Sequence, residues 1–316
     1  MNTNKHTIQL YWQQIRKYKP SFFIALISIP LSALLIDTLL PYFFSQTIGG
    51  LAVSNEQAVW HNLITAAAIG LGGAALNLLG FQALIKHEGS VRTDLSDATF
   101  KNIMEKDMRF FVNEKVGALT SRYIDFVRSQ VSLQDLLIIR TLGFILSITT
   151  GLVIVAMQSW PLAIMITLLI GGLVLQIKWS VKKRAPWRHE RKKLIGEIHG
   201  SIADAITNNL AVKTFAGEAR EIESVSKKNQ RFKHLFIKDI GFFAKEGSAR
   251  VAMMVLVQIG AVALCAYLVF RGDMEIAIAI FTVTYLQRIS SQIFMLGDML
   301  NGYDQALLEA APLSDI

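Results

Sequence analysis

Six apolar segments constrain what this chain can become: residues 21–48, 63–85, 136–157, 160–181, 249–270 and 276–299. Each is close to the ~20 residues an α-helix needs to cross a ~30 Å hydrocarbon core. The chain is 52% apolar and only 18% charged, which lies on the membrane side of what soluble domains show. The expected class is an all-α membrane protein with six transmembrane helices.

Basic residues set the orientation. Arg16, Lys17 and Lys19 precede the first span, whereas residues 49–62 and the short link Gln158-Ser159-Trp160-Pro161 contain no Lys or Arg. Those two connections face outward. The connections between spans two and three and between spans four and five are long and carry most of the positive charge, including Lys182, Lys183, Arg184, Arg188, Arg191, Lys192 and Lys193. The positive-inside rule makes both cytoplasmic, together with both termini. The net charge of +8 thus reads as topology and not as a nucleic-acid surface, for which no binding module is recognisable. The first apolar run begins after twenty residues and lacks a small-residue cleavage site, so it is expected to act as an uncleaved anchor.

Before it, residues 1–19 hold Ile8, Tyr11, Trp12 and Ile15 at helical spacing opposite Gln9, Gln13, Arg16 and Lys17. This pattern predicts an amphipathic helix lying in the interface, with Trp12 and Tyr18 suited to the headgroup layer. The cytoplasmic connections also keep helical periodicity. Ile195, Ile198, Ile202 and Ala205 step by three and four, as do Ile222, Val225, Asn229, Phe232 and Phe236, with Phe243 one heptad further on. Such spacing favours a helix-on-helix seam. Continuous helix from Trp160 to about Asn209 is roughly 75 Å long at ~1.5 Å per residue, more than twice the hydrocarbon core. Two helical hairpins, about 86–135 and 182–248, are therefore expected to project into the cytoplasm, each with a short tip.

Three stretches then carry a family likeness. MRFFVNEKVGALTSRYIDFVRSQV, residues 108–131, has Phe-Phe, a short polar tip, Gly-x-Leu and x-Ser-Arg; NNLAVKTFAGEAREIESVSKKNQRF, residues 208–232, holds Val-Lys-x-Phe-x-x-Glu; YLVFRGDMEIAIAIFTVTYLQRI, residues 267–289, has an outer Gly turn before the sixth span. Together with the topology they resemble the transmembrane domain of ABC exporters of the six-helix half-transporter type, over nearly the whole chain.

The resemblance implies that the two tips are coupling helices seated in grooves of nucleotide-binding domains. The ATPase-coupling positions would be Asn113, Glu114, Lys115 and Val116 in the first tip, and Val212, Lys213, Thr214, Phe215 and Ala216 in the second. It further implies a homo- or heterodimer in which twelve helices enclose one cavity, alternating-access export of an amphipathic or hydrophobic substrate, and a plasma (inner) membrane location. Two departures touch substrate and fine geometry: Gly171-Gly172 occupy a region of span four where many members have proline, and Gly217 precedes Glu218 where bulkier residues are common.

No G-x-x-x-x-G-K-[ST] loop or LSGGQ-like signature occurs in the sequence, so no ATP-hydrolysing motif is present. No cofactor is expected in this chain. ATP and Mg are implied on a partner or fused nucleotide-binding domain, and QALLEAAPLSDI lies roughly where the family's linker begins, with residues 20–310 as the transmembrane domain and 311–316 as the linker's start. The rival reading is an ATP-independent membrane carrier or scaffold, hinted at by Asp37 between Pro30 and Pro41.

Ionisable residues inside spans are costly and face a cavity or a partner. Asp37 and Arg288 lie eleven and twelve residues from the outer ends of spans one and six, at matching depth. Either they pair or jointly line a central cavity, or Arg288 snorkels while Asp37 meets water on the outer side. Asn77, Gln258 and Gln292 join them as candidate cavity-lining residues, with interhelical hydrogen bonding as their plainer role. Gly70, Gly72, Gly73, Gly171 and Gly172 read as close-packing positions. Cys265, in an apolar run, reads as a packed thiol. The six His residues show no metal-ligand spacing, and Asp204, Glu218 and Glu221 have no nucleophile beside them.

Overall fold

The structure, a computed structural model, describes residues 3–113 and 116–314. All regular structure among these residues is helical: α1 Thr3–Ile15, α2 Lys19–Leu34, α3 Leu40–Ala52, α4 Glu56–Met104, α5 Met108–Asn113, α6 Val116–Asp135, α7 Gly143–Gln158, α8 Trp160–Thr207, α9 Asn209–Thr214, α10 Glu218–Phe270 and α11 Ile276–Ser314. Five continuous helical stretches, Lys5–Ala52, Glu56–Met104, Leu119–Met157, Trp160–Thr207 and Glu218–Phe270, are long and apolar enough to cross a membrane. The remaining long helix, α11, covers the segment that the sequence offers as a sixth span. It continues through Ser314, while Asp315 and Ile316 lie outside the described residues.

The connections follow the local chemistry. The outer link expected over 49–62 shrinks to three residues, because α3 runs on to Ala52 and Asn55 caps α4 by accepting from Ala58 N at 3.1 Å. At the next outer link a single extended residue, Ser159, separates α7 from α8. α10 ends in a Schellman turn: Asp273 N donates to Leu268 O and Gly272 N to Val269 O, at 2.9 and 3.0 Å, with Gly272 at φ +76°.

Two π-turns interrupt the spans. Leu35–Leu39 divides the first, just before Pro41. Proline has no amide hydrogen, and its ring crowds the carbonyl four residues back, here that of Asp37. The helix accommodates this by widening, and Leu40 N donates to Leu35 O. Leu136–Leu142 divides the third span, where Thr141 Oγ1 donates to Leu136 O at 2.8 Å and so competes for a backbone acceptor.

The chain forms two compact units, residues 1–168 with 258–316, and residues 169–257. The first has a core of Phe22, Ala25, Ile29, Leu84, Val91, Leu95, Phe126, Ile138 and Ala310. α2 and α4 approach so closely that a Cβ on Gly80 would stand 2.7 Å from the Ile29 side chain. Gly73 likewise faces Ile36, whereas a Cβ on Gly72, Gly171 or Gly172 would meet nothing within 4 Å among the described residues of its own unit. α1 divides its apolar residues. Tyr11 and Ile15 are buried in the core, with Tyr11 Oη donating to Phe126 O at 2.6 Å, while Ile8 and Trp12 remain exposed.

In the second unit, the seam between α8 and α10 is centred on acids. Asp239 is fully buried, accepts a hydrogen bond from Arg184 Nε at 2.7 Å on one oxygen, and forms an ion pair without hydrogen-bond geometry with an Arg191 amino group at 2.9 Å on the other. One heptad along, buried Glu246 accepts from Ser180 Oγ at 2.8 Å and from Arg250 at 2.6 Å. The phenylalanines act as a sleeve: the Arg184 guanidinium lies 4.6 Å from the Phe243 ring centre and Arg191 5.7 Å from that of Phe236. Phe236 and Phe243 are themselves partly exposed. Cation–π contact keeps the guanidiniums desolvated beside their carboxylate, the condition under which such a pair holds.

Candidate functional site

The first site is a cavity of about 550 Å³ in the first unit, lined from the α2–α3 span, the third span and α11. Both π-turns open onto it. One presents Asp37 and the other Arg140, and α11 adds Arg288, Gln292 and Asp298. Arg288 donates to Asp37 Oδ1. The arginine is 47% exposed and the carboxylate 18%, so the pair borders the cavity instead of being sealed in the core.

Next to this pair, on the side away from Asp298, the helices are joined by neutral hydrogen bonds. Thr38 Oγ1 and Ser147 Oγ are 2.9 Å apart, and Tyr285 Oη donates to Ile148 O at 2.6 Å. Tyr285 also stacks on Phe281 with ring centres 5.5 Å apart. Gly151 admits that tyrosine, since a Cβ there would lie 2.1 Å from its ring. Of the other residues expected to line a cavity, Gln292 does so, and its Oε1 is buried with no hydrogen-bond partner among the described residues. Gln258 Nε2 instead donates to Ser290 Oγ at 3.3 Å, an interhelical bond. Asn77, half-buried on α4, lines no part of this cavity. The structure adds Arg140 and Asp298 to this lining; each is an ionisable residue at the margin of an apolar segment, which is a legible signal.

Each unit carries one of the two expected tips. α5 is opened by Asp107, whose Oδ1 accepts from Phe110 N at 3.0 Å; Met108 and Val112 are 78% and 76% exposed. Asn113 ends α5 and Val116 begins α6, while Glu114 and Lys115 lie outside the described residues. α9 presents Leu210 at 84% exposure, and Phe215, its C-cap, at 82%. It closes with a Schellman turn, Gly217 N donating to Val212 O at 2.8 Å and Ala216 N to Lys213 O at 3.2 Å. Ala216 takes the left-handed position at φ +50°. Lys213 pairs with Glu218 at 3.0 Å across the turn, and Thr214 Oγ1 donates to Leu210 O at 2.7 Å. Val212, Lys213, Thr214, Phe215 and Ala216 thus belong to one ordered knuckle bearing large apolar side chains outward. Glu218, far in sequence from the apolar part of α10, has its carboxyl held below the usual value by its own backbone amide and by Lys213.

The family model for the ABC transporter transmembrane region matches residues 22–293. The chain belongs to the ABC transporter transmembrane region family. Within that family, it is 22% identical over 299 residues to the Bacillus subtilis protein YgaD, named for multidrug export as an ATP-binding/permease protein; the match covers 88% of this chain and 49% of YgaD. The mitochondrial potassium channel ATP-binding subunit of Pongo abelii is 25% identical over 222 residues, covering 68% of this chain and 31% of that one. Among solved structures, a bacterial Atm1-family ABC exporter with ATP bound superposes with a TM-score of 0.69 at 17% identity, over 98% of this chain and 52% of that one. The fold is therefore that of an ABC exporter transmembrane domain, in an integral membrane protein. The chain spans about half the length or less of the relatives it matches.

Proposed function

We propose that this transmembrane domain forms the substrate pathway of an ATP-driven exporter working by alternating access, and receives the motion of an ABC-type ATPase through its two cytoplasmic tips. The observation that carries this reading is the second tip: a six-residue helix closed by a hydrogen-bonded turn that exposes Leu210 and Phe215 almost completely. Apolar side chains held out on an ordered knuckle suit a hydrophobic groove in a partner. The relatives named as ATP-binding/permease proteins support an ATPase as that partner, fused or as a separate chain, with ATP and Mg bound there. α8, 48 residues long, extends about 72 Å at ~1.5 Å per residue, so it reaches well past the membrane. Two copies of the domain, identical or related, would enclose the pathway, with both termini on the cytoplasmic side of the plasma membrane. ATP-driven closure of the ATPases would then move rigid helix groups between two states.

The test is Phe215→Asp in the domain reconstituted in proteoliposomes with its ATPase, with Val112→Asp as a probe of the first tip. ATP turnover is expected to continue, transport to fall at least tenfold, and dimer size and helicity to stay unchanged. Transport at the wild-type ratio to ATP turnover in both variants would overturn the coupling role.

A further inference from the structure

The cavity holds its charges in two tiers. In the upper tier, Asp37 and Arg288 satisfy each other. Ten residues along α11 from Arg288, about 15 Å at ~1.5 Å per residue, stands Asp298, and Arg140 lines the same cavity from the third span, whose Leu136 packs against Gly302 of α11. Arg140 and Asp298 are both exposed and both line the cavity, yet neither makes an ion pair or hydrogen bond among the described residues. Between the tiers the walls are Ala33, Phe144 and Met295, with Met299 just past Asp298, an adaptable apolar surface. The four charges sum to zero, so this is not a trap for a simple cation or anion.

Exposed at the margin of the apolar segments, each charge keeps its donors or acceptors free to meet water or a ligand. Two opposite charges that share a cavity but do not meet leave two separate vacancies, one for a carboxylate or similar anion at Arg140 and one for an ammonium at Asp298. From this juxtaposition of Arg140 and Asp298 around an apolar chamber, we infer that the cavity selects an amphipathic zwitterion: an apolar body with a separated anionic and cationic end, of the size of a short peptide. The volume of about 550 Å³ falls in the range of drug-sized ligand sites. This inference rests on reading the cavity as the substrate pathway, but it does not depend on coupling to an ATPase.

The experiment is equilibrium binding, without nucleotide, to the intact protein in nanodiscs. The probe is the tripeptide Gly-Lys-Gly carrying a dansyl group on the lysine Nζ, with both termini free, N-acetylated, C-amidated or doubly blocked. A charge-assisted contact is expected to contribute about tenfold in affinity. The free peptide should bind about tenfold tighter than either singly blocked form and tightest of the four. Arg140→Gln should abolish the preference for a free C-terminus while leaving the amidated peptides unchanged, and Arg140→Lys should retain much of it. Asp298→Asn should abolish the preference for a free N-terminus alone. Competition with dihexanoyl phosphatidylethanolamine tells whether a lipid headgroup or a soluble zwitterion meets the same two charges; displacement in the wild type that is lost in Arg140→Gln assigns the lipid, and its absence assigns the soluble ligand. Equal binding of all four peptides, or preferences that survive both substitutions, would overturn the inference. Because binding is read without ATP, a failure here leaves the Phe215 result standing, and a failure of coupling leaves the binding series standing.

Discussion

Arg288 on α11 donates to the carboxylate of Asp37, which sits in the π-turn that Pro41 imposes on the first span. In a low-dielectric setting each group is the other's main compensation, although the 47% exposure of the arginine reduces what the pair is worth. Asp37→Arg and Arg288→Asp, made singly, are each expected to lower stability by about 1–2 kcal/mol, and the double reversal to recover most of that loss in thermal melts. Failure of the double reversal to rescue would mean that the contact is incidental.

Gly151→Ala should be among the more damaging small substitutions in the membrane region. Its Cβ would stand 2.1 Å from the ring of Tyr285, which is held by its bond to Ile148 O and by stacking on Phe281. Overpacking of this kind costs about 1–3 kcal/mol. Gly151→Ala combined with Tyr285→Leu should regain part of the loss, as read by detergent-solubilised melting.

Asp239→Asn removes the carboxylate that holds Arg184 and Arg191 and leaves two guanidiniums facing a neutral amide. Breaking a buried pair is expected to destabilise by about 3 kcal/mol. The loss should appear in hydrogen exchange as faster opening of α8 and α10 around residues 180–250. Protection in that segment equal to wild type would refute the network's structural weight.

Ala216→Gly should strengthen the second tip. The left-handed φ of +50° strains a side chain, and the equivalent position of the other Schellman turn already holds Gly272 at φ +76°. A local gain of about 0.5–1 kcal/mol is expected, measured as slower amide exchange at Phe215, Ala216 and Gly217.

The same tip should loosen in acid. The Glu218 carboxyl titrates below its ordinary value of 4.5 because its own amide and Lys213 favour the charged form. A depressed folded value gives a contribution that is present above the ordinary value and lost as pH falls through the folded one. Amides of Gly217 to Glu221 should therefore exchange faster, relative to intrinsic rates, once pH drops below 4.5, and Lys213→Gln should flatten that dependence.

How much was legible in the sequence varied with the physics involved. Apolar run lengths and heptad spacing are local properties, so the all-helical class, the long α8 and α10 and the turn at residues 215–217 could be read without coordinates. The outer link after the first span was overestimated, because Asn55 capping and helix continuation past the apolar run are settled by hydrogen bonds that hydropathy does not register. The chemistry of the second unit's seam is hidden for a related reason: Phe236 and Phe243 are apolar and periodic, but whether they fill the centre or sheathe an Arg184–Asp239 pair depends on which side chains the facing helix supplies.

By itself the sequence determined that this chain is helical, spans a membrane and carries the motifs of the ABC transporter transmembrane region, since these follow from periodicity and from residue order along one strand of chain. Only the tertiary structure decided that Asp37 meets Arg288 while Arg140 and Asp298 face the same cavity with no ion pair among the described residues. Those relations join residues more than a hundred positions apart, and their geometry is set by two π-turns and by the packing of α11, which no local pattern encodes.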